Sequence, residues 1–235
     1  MRSIKKIIYA TLLLTILSTV FNLRAQDKEN QELSKTLAIM DAASEKFSSF
    51  EAKLTQKEYV ALLKRFEPAE TGEFYYVMDK NRAVQLRREI LAPGVNITTI
   101  KGDSATIYQP ATKQAKIYNL GNRGNLVEYL ATGLGQSSAG LREQFEIGYD
   151  GTEDINGETC SILTLVPKDK SAAASVKSIT VWIKNSTGTP AQYKFLEPTN
   201  NYILQTFSGE KLNGKIPAEK FEQKLPNGTE ILRLN

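Results

Sequence analysis

The side chains that usually perform catalysis are scarce in this chain of 235 residues. There is no histidine, which excludes Ser-His-Asp and Cys-His catalysis and every metal site that needs an imidazole. Cys160 is the only cysteine and lies in the β-rich stretch ETCSILTLV. We therefore expect a buried, unreactive thiol that forms no disulfide within the chain.

Carboxylates are the remaining candidates for catalysis. Asp103, Asp150, Glu153 and Asp154 all fall in predicted turns, where acidic side chains commonly bond to nearby backbone groups. An exported hydrolase that uses Asp103 or Asp150 stays open as an alternative. We predict that the protein is not an enzyme and that it has no catalytic residue, no metal site and no cofactor.

The first 25 residues predict an export signal. Basic side chains precede an apolar run from Ile7 to Phe21, and Ala25 precedes a plausible cleavage point. The run is short for a membrane span, and an uncleaved anchor is the alternative. We predict that residues 1–25 are a cleaved signal peptide and that residues 26–235 form one domain.

The formal net charge of +4 arises within this predicted signal peptide. The segment holds four basic residues and no acid, so 26 of the 30 basic residues remain beside 26 acidic ones. A neutral domain has no electrostatic reason to bind a polyanion. We therefore predict no nucleic-acid partner.

The spacing of apolar residues divides the chain into helical and extended segments. An amphipathic helix is predicted over Glu32–Ser48, with an apolar stripe that consists of Leu33, Leu37, Met40, Ala43 and Phe47. Two short helices, about Asn125–Thr132 and Ser138–Phe145, lie in a glycine-rich middle. The predicted strands are Phe50–Leu63, Glu73–Met78, Ala83–Leu91, Val95–Ile100, Ser104–Tyr108, Ala115–Tyr118, Phe145–Tyr149, Glu158–Pro167, Lys177–Lys184, Ala191–Phe195 and Asn201–Ser208, with a last short strand after Pro226-Asn227-Gly228.

Short sequential strands separated by turns predict an antiparallel meander. Several strands are hydrophobic on both faces: Ile179 and Val181 alternate with Thr180 and Trp182. A sheet with one wet face would alternate more cleanly. A curled sheet or partial barrel, with helices over its mouth, explains the pattern. From the pattern alone, a packed sandwich core is the simpler alternative.

Five landmarks, in order, cover nearly the whole predicted mature chain. They are Ser48-Ser49-Phe50 followed by Ala52, Leu54, Thr55 and Gln56; Gly72-Glu73-Phe74-Tyr75; Tyr108-Gln109-Pro110 with Gln114; Leu163, Leu165, Pro167 and Lys168; and Phe221 with Pro226, Gly228 and Thr229. In this combination the chain resembles the LolA-type periplasmic carriers of outer-membrane lipoproteins.

The resemblance implies a mainly β fold with α: an incomplete, unclosed antiparallel β-barrel with an N-terminal helix and short lid helices over an apolar cavity. It implies a periplasmic carrier, expected to be a monomer. Such a carrier takes acylated lipoproteins, or a related lipid, from an inner-membrane lipoprotein-releasing transporter to an outer-membrane receptor. An envelope sensor or scaffold of the same fold, which binds a lipid or protein without transporting it, is the alternative.

In such a carrier we expect alternating strand positions to line the acyl cavity and the lid to face it. The predicted cavity residues are Leu54, Phe74, Tyr76, Leu86, Ile179 and Val181, and the predicted lid residues are Leu126, Tyr129 and Leu130. The family's second strand often ends in an Arg-Pro pair whose arginine bonds the lid. This chain has no proline there, and Arg82 is the nearest candidate.

Overall fold

The computed structural model describes residues 27–120 and 131–234. Residues 27–45 are helical (α1). The strands before residue 121 are β1 Ser49–Val60, β2 Arg65–Phe66, β3 Glu70–Met78, β4 Val84–Ala92, β5 Asn96–Lys101, β6 Ser104–Gln109 and β7 Gln114–Asn119. After residue 130 come α2 Ser138–Gln144, β8 Phe145–Ile155, β9 Glu158–Pro167, α3 Lys170–Ala173, β10 Ser178–Lys184, β11 Pro190–Leu196, β12 Tyr202–Leu212, a 3₁₀ turn at Ala218–Phe221 and β13 Glu230–Leu234.

All the described strands belong to one sheet. Its order is β13-β7-β6-β5-β4-β3-β1-β12-β11-β10-β9-β8, and β2 pairs with part of β1. Neighbours are antiparallel except β13, which is parallel to β7. β13 and β8 form the two edges of this order, so the sheet is not closed. The predicted mainly β, open antiparallel architecture with an N-terminal helix is confirmed, and the sandwich alternative is wrong.

The sheet is curled, so that both of its halves contribute to one core. These halves are here called wings: one contains β3–β7 and β13, and the other contains β8–β12. Ile100 and Ala105, from β5 and β6, belong to the same buried cluster as Leu163 and Leu165 of β9. Register shifts between Thr71 and Gly72 and between Tyr149 and Thr152 interrupt the ladders. Such bulges increase local bend and twist, which favours a concave inner face.

Helix α1 covers part of this inner face. Leu37 and Met40 are buried in the core cluster, and Leu33 and Phe47 pack against it, as the predicted stripe requires. The turn after β10 approaches the helix closely. At Gly188 (φ +70°) an added Cβ would lie 2.6 Å from the carbonyl oxygen of Ile39. Only a residue without a side chain allows the helix to lie this close to the turn.

The outer face explains why several strands are hydrophobic on both sides. Trp182, Cys160 and Ala191 form a second small cluster outside β9–β11. On the opposite wing, the 3₁₀ turn buries Phe221 and places the Lys220 ammonium 4.3 Å from the centre of the Tyr75 ring. The outer cover is therefore a small cluster around Trp182 on one wing and the C-terminal 3₁₀ turn on the other.

The main differences from the predicted elements arise where the ladder is irregular or long in range. The turn predicted for Asp150–Gly157 is wrong up to Ile155, because β8 continues to that residue after a bulge that contains Gly151 at φ +98°; Asn156 and Gly157 do form a turn. Asp169 caps α3 within a segment predicted as a loop. Among the described residues, no helix has the length and apolar character that a membrane crossing requires.

Candidate ligand-binding site

The six residues predicted to line a cavity share one environment. Each is at most 3% exposed, and all belong to the main core cluster on the inner face: Leu54, Phe74, Tyr76, Leu86, Ile179 and Val181. Leu54 and Phe74 come from β1 and β3, whereas Ile179 comes from β10 on the other wing. The structure therefore places them on the same side of the sheet. Their binding to an acyl chain stays a prediction.

An aromatic group at the centre of this inner face was missed by the sequence-based site prediction. Phe50 lies 6.1 Å from Phe74 and 5.2 Å from Phe207, measured between ring centroids. Tyr193 lies 5.7 Å from Phe207. Phe50 shares the alternation of Ala52 and Leu54, so the period-two pattern already contained a signal for it. Phe207 and Tyr193 come from β12 and β11, and their place follows only from strand order.

Residues 131–135, here called the closing turn, complete the cover over the inner face. All five residues are buried, and Leu134 is 0% exposed within the core cluster. Its backbone N–H donates to the carbonyl of Ala131 at 2.9 Å. The helix predicted to run to Thr132 is therefore wrong at Ala131 and Thr132, which form a turn. The predicted lid residues Leu126, Tyr129 and Leu130 lie outside the described residues.

The closing turn is held by side chains from other elements. The Arg82 guanidinium donates to the carbonyl of Gly135 at 2.5 Å, and the buried Tyr193 hydroxyl donates to the carbonyl of Thr132 at 2.7 Å. The Asp41 carboxylate of α1 accepts from the backbone N–H and hydroxyl of Ser138, at 2.6 and 2.7 Å. These polar bonds anchor the turn without making it part of the sheet.

Glycine allows the closing turn to lie directly on Phe47, which follows α1, and on β3. Gly135 has φ +67°, and an added Cβ would lie 2.6 Å from the Phe47 ring and 3.0 Å from the Met78 methyl carbon. Both the left-handed backbone and the close contact disfavour any side chain here. These contacts hold the backbone next to Leu134 against Phe47 and Met78, and the Leu134 side chain packs in the core.

Arg82 is the nearest candidate for the lid-bonding arginine that the resemblance implies. It lies in the turn after β3 rather than in the strand, with φ +62°, and reaches Gly135 across 53 residues of sequence. Its partner belongs to the closing turn, which comes shortly after the predicted lid residues in the chain. The absence of the family's proline therefore does not prevent an arginine from this turn reaching the cover.

We expect Arg82→Ala to loosen the closing turn. A hydrogen bond from a charged donor contributes about 1.5–3 kcal/mol when shielded, and Arg82 is largely exposed, so about 1 kcal/mol is the expected loss. Hydrogen exchange of the amides of residues 133–136 should accelerate about fivefold. Lys80→Ala, in the same turn, removes an exposed charge and should leave exchange unchanged. Equal exchange in Arg82→Ala and the native protein would show that the bond does not hold the turn.

The inner face also contains a polar group, towards the opposite end of β1 from α1. The amide oxygen of Gln56 accepts from Arg88 Nη1 at 3.0 Å and from Gln205 Nε2 at 2.8 Å. The Gln56 Nε2 amide donates to the Glu70 carboxylate at 2.6 Å. Burial lowers the pKa of the Arg88 guanidinium, and the nearby Glu70 charge opposes that shift. The inner face thus has an apolar part beneath α1 and a polar part around Gln56.

Three of the groups considered for catalysis, Asp150, Asp154 and Cys160, have partners away from this face. Asp150 accepts from the Thr164 hydroxyl, and Asp154 accepts from the backbone N–H of Gly157 at 2.8 Å. Cys160 is 0% exposed in the outer cluster, and burial raises the pKa of its thiol to about 11. In residues 27–120 and 131–234, no set of three or more acidic, cysteine or histidine side chains could hold a metal ion.

The burial of Cys160 predicts that it resists alkylation. At about pH 8 almost no thiolate forms when the thiol pKa is near 11, and access to the sulfur is blocked. Iodoacetamide should therefore leave the native protein unmodified over a period in which the urea-unfolded chain reacts fully, as followed by intact mass. Complete labelling of the native protein in that period would contradict the burial.

Comparisons with known proteins support the fold. No protein-family model matches the sequence, and no curated protein does. An uncharacterized conserved protein from Thermus thermophilus superposes with a TM-score of 0.54 at 13% identity, over 84% of this chain and 98% of that one. The crystal structure of MucB superposes with a TM-score of 0.51 at 13% identity, over 86% of this chain. The aligned part spans 66% of the length of MucB.

A looser match bears the name of the family that the landmarks resemble. The LolA superfamily protein NE2245 from Nitrosomonas europaea aligns at 13% identity and a TM-score of 0.36, over 79% of this chain and 96% of that one. At these identities the likeness shows the fold alone, and that fold is the open antiparallel sheet with an N-terminal helix described above.

Proposed function

We propose that this protein is a periplasmic carrier that binds the acyl chains of lipoproteins, or of a related lipid, on its inner face. It delivers them from an inner-membrane lipoprotein-releasing transporter to an outer-membrane receptor. The observation that supports this proposal is the closing turn. It covers an apolar face with one buried leucine, Leu134, and is anchored by side-chain hydrogen bonds rather than by the sheet. A cover of this kind can leave the face without breaking any strand pairing.

The energetics of release favour such a cover. A chain of about sixteen carbons gains roughly 12 kcal/mol on transfer from water to an apolar site, at about 0.8 kcal/mol per methylene. A carrier with an open cavity would keep most of this energy and would hold its cargo. Because cargo must first displace Leu134 and its neighbours from the inner face, part of that energy is offset. The affinity is thereby lowered into a range that permits transfer.

Native mass spectrometry of the protein purified gently from the periplasm tests the proposal. Co-purified acylated protein or lipid, identified after extraction, would support an acyl-binding face. The purified protein should also take up a fluorescent fatty acid. A protein that carries nothing and fails to take up the probe would overturn the proposal.

A sensor or scaffold that binds a lipid or protein without transporting it is the second candidate. The filled inner face favours it, because all six predicted cavity residues pack among core side chains. Among the matching structures, MucB has been solved in complex with MucA from Pseudomonas aeruginosa. Stable association of this chain with one envelope protein, without transfer of lipid between vesicles, would favour this function over transport.

The absence of histidine predicts that ligand release does not respond to mild acidity. No imidazole is present to change charge between about pH 6 and 8, and the Cys160 thiol, with its pKa raised to about 11, stays protonated there. We expect fatty-acid affinity to vary less than about threefold across this range in a fluorescence titration. A tenfold change would contradict release by a receptor and would indicate a titrating group at the site.

A further inference from the structure

The polar part of the inner face includes Arg88, which neither holds the closing turn nor belongs to the apolar core. Arg88 is directly opposite Phe74 of β3 on one side and Thr98 of β5 on the other. Its neighbours in the β4 alternation, Leu86 and Ile90, are 2% and 1% exposed. Arg88 is therefore on the buried side of β4, between apolar positions.

The partners of Arg88 leave its charge only partly compensated. Its hydrogen bond runs to the neutral amide oxygen of Gln56, and the Glu70 carboxylate bonds to the other end of that amide. Within the part of the chain that the structure describes, no carboxylate lies within ion-pair distance of the guanidinium. A shielded cation normally has an anion in contact, because desolvation of its charge is costly. The one side-chain hydrogen bond of the guanidinium among the described residues is made through Nη1, so its other N–H groups have no described partner there.

Two further polar groups on the same face lack partners. Thr98 is 8% exposed, and its hydroxyl oxygen has no hydrogen-bond partner among the described residues. The side-chain oxygen of Asn96, two residues earlier on the same face of β5, is also buried without one. Buried polar groups are almost always paired. The Thr98 hydroxyl can donate to an anion beside Arg88, whereas the Asn96 oxygen only accepts, so the orphan hydroxyl is the one that points to an anionic ligand.

We propose that Arg88 and Thr98 form a subsite for the anionic head group of an acyl ligand, a carboxylate or a phosphate. This inference rests on the proposed binding of acyl chains to the inner face. The planar guanidinium can donate two parallel bonds to such an anion, and the Thr98 hydroxyl can donate a third. The apolar chain then lies along the neighbouring inner-face positions, such as Phe74 and Leu86.

Calorimetric titration with three probes of equal chain length tests the subsite. The probes are hexadecanoate, hexadecyl phosphate and methyl hexadecanoate, the last of which is neutral. The native protein should bind at least one of the anions about tenfold more tightly than the ester. Preference between the two anions identifies the source of the head group. Arg88→Gln should abolish the preference for an anion, and Arg88→Lys should restore part of it.

Thr98→Val distinguishes a role in anion binding from a purely structural role, because only the former predicts a selective loss of anion affinity. The substitution keeps the shape and removes an unpaired hydroxyl, so the stability of the free protein should be unchanged or higher. Anion affinity should fall about threefold to tenfold, while ester affinity stays the same. Lys101→Gln, which removes one positive charge from the exposed end of β5, should leave all three affinities unchanged.

The outcomes separate this inference from the proposed function. Binding of all three probes with equal affinity, or an unaltered preference in both Arg88→Gln and Thr98→Val, would overturn the subsite and leave acyl binding intact. Failure of the native protein to bind any probe would overturn acyl binding itself, and the subsite with it.

Discussion

Leu134→Ala is expected to destabilise the free protein and, at the same time, to tighten ligand binding. Truncating a fully buried leucine removes contacts with the inner face and costs about 2–4 kcal/mol of unfolding free energy. In the proposed carrier, those contacts stabilise the closed arrangement alone. The apparent affinity of a ligand falls in proportion to the fraction of molecules that are open and can bind it. A less stable closed arrangement increases that open fraction and therefore raises the apparent affinity. We expect at least a tenfold gain for a fluorescent fatty acid.

The opposite signs of the two effects make this prediction specific. A leucine that simply belongs to the permanent core would lower stability and affinity together, because a damaged inner face binds less well. Leu91→Ala is the matched control, since Leu91 is 49% exposed on β4 and the same truncation should change neither quantity by much. Urea denaturation and fluorescence titration measure the two effects. A loss of affinity in Leu134→Ala would contradict displacement of the closing turn.

Period-two alternation was enough to group most of the candidate residues on common strand faces. Leu54, Phe74 and Leu86 lie on regular strands. Once one residue of such a strand is assigned to a face, every second residue is assigned to the same face. The bounds of β9, Glu158–Pro167, agree with the prediction because proline and charged residues end a clear apolar run. The helix stripe that includes Leu37 and Met40 was equally clear. Local patterns therefore predicted the elements and the apolar half of the inner face.

The features that were missed depend on contacts between distant parts of the chain. Leu134 lies between Gly133 and Gly135, so it belongs to no periodic pattern, and its burial follows from the fit of the turn against α1. The parallel pairing of β13 with β7 joins Glu230 to Gln114, which no local signal indicates. Arg88 contradicts the apolar alternation of its own strand. A polar residue at a core position is a place where sequence patterns fail and where function is expected.

Gly72→Ala is expected to have the largest effect on the fold itself. Gly72 lies at the register shift between β3 and β4, where an added Cβ would be 1.8 Å from the carbonyl oxygen of Glu89. That atom belongs to the backbone of a central strand, so relief requires the β3–β4 ladder to separate locally. We expect a loss of at least about 3 kcal/mol in unfolding free energy.

Gly94→Ala provides the comparison for that substitution, because no atom lies within 4 Å of the added Cβ at Gly94. Its stability should change by less than about 1 kcal/mol, as at other open sites. Denaturant unfolding followed by circular dichroism measures both variants. Gly72 also belongs to the landmark Gly72-Glu73-Phe74-Tyr75, so the close approach gives a physical reason for that motif. Equal stability of the two variants would show that the ladder can yield at this point, and the curl of the inner face would then need another cause.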